Sequence, residues 1–387
     1  MKRVSILAWI LCACLVSAAW AQRPAAKGSA DWTEFHRTNM MRWNPYENVL
    51  NVNNVWGLHR KWSFKTGDWA QSSPALVNGV LYVGSNDRNV YALKASTGKK
   101  LWSYTTDRYV ACSPAVANGV VYVSSYFGSV YALKASTGAL LWRTGVGWPV
   151  ISALAVANGI LYASTWENDA NAPPTAALYA LDTSTGNMLW SYPTGWGGSS
   201  SPAVENGVVY VGSGDNDIVA LNASSGALLW TYTTGSGVGS GPAVANRVVY
   251  AGAGDNNIVA LHASTGALLW SYTAGSSVAS SPAVANGVVY VGSEDNNLYA
   301  LNATNGALLW SYTTGYHVRS APAVANGVVY LASNDGNLYA LDASTGAKLW
   351  SYHKNGGQSS PIVVNGVVYV GAGNHYVYAF GLNKGQK

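Results

Sequence analysis

The residues of this 387-residue chain best suited to recognition chemistry interrupt a regular background. In loops that elsewhere read Gly-Ser-Gly-Val-Gly-Ser (235–240) or Gly-Ser-Ser-Val-Ala-Ser (275–280), the sequence places Trp69, Arg108, Tyr109, Trp148, Trp196, His317 and Arg319, with Gln71, Tyr316 and Gln358 among them. An eight-residue excess within 165–177 adds Trp166, Glu167 and Asp169. Aromatic faces flanked by Arg are the material of protein hot spots and of stacking platforms for polymers, because rigid rings supply contact area at little ordering cost. The competing reading of the same rings is a packed cap over a central channel.

Catalytic constellations are missing from the sequence. The six His show no metal-ligand spacing, and there is neither a nucleophile elbow nor a phosphate-binding loop. Asp215-Asn216-Asp217, Asp255-Asn256-Asn257 and Asp295-Asn296-Asn297 carry the oxygen ligands that calcium prefers, but no Glu completes a calcium loop. Asp and Asn tolerate left-handed backbone, so tight turns account for these triplets. No residue is assigned a catalytic or metal-ligating role.

The elements that position these loops repeat. Trp62, Trp102, Trp142, Trp190, Trp230, Trp270, Trp310 and Trp350 share one phase, 40 residues apart except for 48 between Trp142 and Trp190. One identical aromatic per repeat marks packing between units. Each unit holds four short alternating apolar runs, as in 281–314, which read as β-strands. Asn-Gly at 78, 118, 158, 206, 286, 326 and 365 predicts a type I′ hairpin between the first two strands, with Asn246-Arg247 the departure. Ser-Thr-Gly or a variant turns the third strand into the fourth. Pro near the start of most first strands belongs on an unpaired edge, which puts that strand beside the central channel and the Trp strand outermost.

A four-stranded meander cannot bury both faces alone, so the units must stack radially into a β-propeller. Tyr82, Tyr122, Tyr162, Tyr210, Tyr250, Tyr290, Tyr330 and Tyr369 mark eight second strands. The eighth unit lacks a fourth strand, and Leu58 to Lys65 is an orphan fourth strand at the other end. The expected fold is all-β, an eight-bladed propeller of four-stranded antiparallel blades at 58–387, closed by the N-terminal strand completing the last blade. Residues 22–57 form a flap on the ring.

Charged residues make up only 10% of the chain, against 42 Gly and 17 Trp, which excludes disorder and coiled coil. Lys2, Arg3, the apolar stretch Ile6 to Val16 and the small Ala19 and Ala21 predict a signal peptide at 1–21, hence a periplasmic or extracellular protein. A lipidation box with Cys14 as anchor is the alternative. Without Lys2 and Arg3 the balance is 20 basic against 17 acidic residues, too weak and diffuse for nucleic acid. Cys112 is then the lone thiol, expected to pack at the start of an inner strand. No later stretch is apolar enough to span a membrane.

The unit Ala-Leu-Asp-Ala-Ser-Thr-Gly-Ala-Lys-Leu-Trp, Ala340 to Trp350, resembles the pyrroloquinoline-quinone (PQQ) type propeller repeat, and the match runs over 58–380. That repeat class includes quinoprotein dehydrogenases and cofactor-free propellers such as BamB of the outer-membrane assembly machinery. The dehydrogenase resemblance implies PQQ over the channel with calcium held by Glu, Asn and Asp, and an adjacent cysteine pair. This chain has no such pair after residue 21, and Glu167 or Glu294 would be the glutamates for calcium. The expected protein is a monomeric, non-catalytic propeller that needs no cofactor and binds an envelope protein or polymer. The alternative is a PQQ-dependent dehydrogenase acting on an alcohol.

Overall fold

The computed structural model describes residues 31–37, 41–166, 176–195 and 200–383. Eight antiparallel sheets follow one another along the chain, each four-stranded within its blade. Blade six is representative, with strands Ala283–Ala285, Val288–Gly292, Asn297–Asn302 and Leu308–Thr313 in that order from the axis outward. The first turn closes as expected from its sequence: Asn286 and Gly287 have φ of 49° and 75°, the pair of positive values that type I′ requires. In the eighth blade His59–Lys65 pairs antiparallel with Tyr376–Gly381, setting Trp62 opposite Ala379. The ring therefore closes with strands from both ends of the propeller, and no open edge remains between first and last blades.

One joint recurs around the ring. Trp102 Nε1 and the Tyr82 hydroxyl both donate to the Ala135 carbonyl of the next blade, at 2.9 and 3.2 Å. The indole lies flat on Gly138, where an added Cβ would sit 2.6 Å from Trp102 Cε3 and where φ is +74°. Both constraints demand Gly at that turn. In each blade the pairing of third and fourth strands slips by one residue just before the Trp, as between Leu140 and Trp142. The bulge re-aims the indole across the blade boundary. Burial pushes the Tyr290 phenol up to about 12, so it stays protonated and a donor.

Residues 31–37 and 41–57 lie on the face that carries the Asn-Gly turns. Leu76 N and Trp32 O pair at 2.8 Å, Val116 N donates to Thr33 O at 2.8 Å, and Val156 N donates to Glu34 Oε2 at 3.0 Å. On the far side of the ring, Val284 N bonds Met41 O at 2.9 Å and Val324 N bonds Arg42 O at 3.0 Å. Trp43–Asn44 runs parallel to blade seven's first strand. Within its own blade an inner strand has no sheet neighbour toward the axis, and this segment satisfies donors that would otherwise be unpaired in a buried place. Among the described residues, no helix is long and apolar enough to cross a membrane.

Candidate functional site: the loop face and the channel

The opposite face carries the loops between blades and the turns between second and third strands. Its regular form is a capped loop. Gly235 N, Gly275 N and Gly315 N donate to Asp255, Asp295 and Asp335 Oδ2 of the following blade at 2.7, 2.7 and 2.8 Å. The Asp-Asn triplets are thus spent on loop structure: Asp295 also accepts from Asn297 N at 2.9 Å and from the Tyr299 hydroxyl at 2.6 Å, and Asn296 has φ of 75°.

Blade two breaks this form. Phe127 stands where the capping Asp recurs, and Asp107 stands where the capped Gly recurs, so the carboxylate has moved to the other partner. Asp107 accepts from Ser125 Oγ at 2.6 Å and Ser129 Oγ at 2.9 Å and pairs with Arg143. Partial burial pushes its pKa up, but these hydrogen bonds and the guanidinium outweigh that and hold it below the ordinary value. Phe127 is released from loop structure and is 56% exposed, with the Arg108 guanidinium 4.7 Å over its ring. Tyr109 stacks on Tyr126 at 4.3 Å, and Tyr126 touches Phe127. Trp69, 47% exposed, stands on the preceding loop.

This cluster edges a funnel along the axis, a cavity of about 370 Å³. Gln71, Tyr109, Tyr126, Arg319 and Gln358 line its upper part, Ser73, Ser113, Ser201, Ser281 and Ser360 its wall, and Phe35 its floor. Arg319 Nε bonds Glu294 Oε1 at 2.8 Å, and His317 Nδ1 meets the Glu294 carbonyl. A larger groove of about 920 Å³ lies on the other face between blades one and two, walled by Leu101, Trp102 and Lys134 with Glu34 at one end. Burial pushes the Glu34 carboxyl up to about 8, partly offset by its bond from Val156 N.

Of the residues singled out in the sequence, Tyr109 and Arg319 enter the funnel lining with Gln71 and Gln358. Trp69, Arg108, Trp148, Trp166 and His317 belong to the same loops but lie outside that lining, and Glu167 and Trp196 fall outside the described residues. Tyr126 and Phe127 were missed. The signal for Phe127 was present, as the one unit whose turn has an aromatic in place of the Asp at 87, 215, 255, 295 and 335.

Comparison with known proteins fits this geometry. A family model described as outer membrane protein assembly factor BamB matches residues 106–237, 175–280 and 273–387. The chain belongs to the PQQ-repeat propeller family. A second model, the β-propeller domain of glucose, ethanol and alcohol dehydrogenases, matches this PQQ-repeat propeller over residues 32–111. Quinoprotein ethanol dehydrogenase of Pseudomonas putida is 41% identical over 68 residues, 16% of this chain and 11% of that enzyme. BamB from Moraxella catarrhalis superposes with a TM-score of 0.73 at 18% identity, covering 84% of this chain and 100% of that one. Quinohemoprotein alcohol dehydrogenase from Comamonas testosteroni gives 0.80 at 18% identity, covering 91% and 80%. These likenesses establish the shared propeller, on which unlike functions are built.

Of the two glutamates that the dehydrogenase resemblance implies for calcium, Glu294 is bound by Arg319 and Glu167 falls outside the described residues. Among the described residues no group of three His, Cys, Asp or Glu is placed to hold a metal ion. Cys112 sits fully buried, accepting Ser124 N at 2.9 Å, with its thiol pushed up to about 11 by burial. It occupies the place of Ser72, whose Oγ accepts Gly84 N at 2.7 Å.

Proposed function

We propose that this propeller is exported by its leader and acts as a non-catalytic binding module of the cell envelope, capturing a protein or polymer on the loop face of blades one to three. The observation that carries this reading is the Asp107 and Phe127 exchange. Packing demands repeat around a ring, so a residue removed from loop capping and left exposed under a guanidinium answers to another requirement. An exposed aromatic cluster with Arg is the composition of a hot spot.

The test is a pull-down from envelope extract with the wild type and with the double variant Asp107→Gly, Phe127→Asp. The variant restores the capped loop of the other blades, so it should fold normally and lose most partner capture. Undiminished capture would remove this face from the proposal. The 68-residue match to an ethanol dehydrogenase supports a second reading, a PQQ-dependent alcohol dehydrogenase. Saturable binding of PQQ with calcium, together with alcohol-dependent dye reduction, would replace the first reading by the second.

A further inference from the structure

The channel wall contains a ring of serines whose hydroxyl protons are unspent. Ser73 N donates to Ser113 Oγ at 3.0 Å, Ala153 N to Ser201 Oγ at 3.0 Å, and Gly241 N to Ser281 Oγ at 2.8 Å. Ala321 N likewise donates to Ser360 Oγ at 2.9 Å, and Ser360 N to Ser73 Oγ at 2.9 Å. In each case a backbone N–H from the neighbouring blade occupies an acceptor lone pair and fixes the oxygen. None of these hydroxyls donates to a described group. The serines one residue earlier behave differently. Ser240 Oγ accepts Gly252 N at 2.8 Å and donates back to Gly252 O at 2.7 Å, so both of its functions are used. The ring serines are buried, line one cavity, and present donors to it.

A buried charge lies directly behind the floor. Arg42 has no solvent exposure, and its guanidinium stacks 4.5 Å over the Phe35 ring that floors the cavity. It donates to the carbonyls of Phe35, Pro322 and Pro361, the last two at 2.9 and 2.8 Å. None of the ion pairs among the described residues includes it. Buried charges are ordinarily paired, and an unpaired one in a low-dielectric setting acts strongly on its surroundings. Donors on the wall and a cation behind the floor call for an occupant rich in acceptors and negatively charged. A cavity of about 370 Å³ is of small-molecule size.

We propose that the serine ring and Arg42 form a site for a small oxyanion, a carboxylate or phosphate of a few heavy atoms, inside the channel. The site lies below the loop face and stands independently of the partner proposed for that face.

The test is calorimetric titration of the mature chain with succinate, acetate and inorganic phosphate at constant ionic strength, with succinamide as the neutral control. Saturable binding is expected for at least one anion and not for succinamide, and comparison of the three identifies the preferred source. Hydrogen bonds to charged groups set the scale. Ser113→Ala with Ser281→Ala should weaken binding at least about tenfold without lowering the unliganded melting temperature by more than a few degrees, since Ala153 and Ala321 already occupy this ring. Ala321→Ser adds a hydroxyl and should tighten binding several-fold. Equal binding of succinamide, no saturable anion binding, or affinities indifferent to both variants would overturn the site.

Discussion

Trp350 Nε1 donates to the Leu58 carbonyl at 2.9 Å, joining residues 292 positions apart. Trp310 makes the same bond to Ala343, 33 positions on, at 3.1 Å. At Trp350 the acceptor comes instead from the segment that enters the eighth blade as its outer strand, so the repeated joint is also the ring closure.

Deleting residues 22–66 should therefore remove that acceptor and the outer strand together, exposing the edge of Tyr376–Gly381. An exposed edge templates pairing with other chains. The truncated protein should aggregate in size-exclusion chromatography with light scattering. A monomer of unchanged melting temperature would contradict this closure.

Cys112 should behave as a packed group. With the thiol fully buried and its pKa raised to about 11, native protein should resist a thiol reagent at neutral pH and react fully in denaturant. Cys112→Ser should fold with a melting temperature within a few degrees of wild type, because serine fills the same place in the neighbouring blade.

Gly241 should be intolerant of the serine that most blades carry at its ring position. An added Cβ would stand 3.0 Å from His36 Nε2 and 2.9 Å from Ser201 Cβ. Gly241→Ser should destabilise by about 1–3 kcal/mol, the range for overpacking. His36→Ala should relieve part of that loss in a double-mutant cycle read by denaturant melts. Additive effects would show that His36 does not set the constraint.

Glu34 should impose a pH dependence. An unfolded carboxyl ionises near 4.5, whereas the native one keeps its proton to about 8, with burial as the cause. Its contribution to stability is thus whole below about pH 4.5 and is lost as pH rises to about 8. The melting temperature of Glu34→Gln relative to wild type should climb through that window and level off above it. A constant difference from about pH 5 to 9 would contradict the shift.

Blade number, strand order, turn type and ring closure were legible in the sequence because each is encoded locally and repeated. Asn-Gly, Ser-Thr-Gly and the Trp phase act within a few residues of where they stand, and the orphan strand at Leu58 to Lys65 has an obvious vacancy to fill. The loop residues were legible only as departures from the repeat. Their arrangement depended on approaches between separate turns and loops: Phe127 under Arg108, Tyr126 on Tyr109, Glu294 held by Arg319, and, across hundreds of positions, Phe35 with Arg42 brought under the serines of distant blades. Local propensity carries no information about such distances. Only the closed ring, with residues 31–37 and 41–57 packed against its inner strands, decides which donors face the channel and which charge stands behind it.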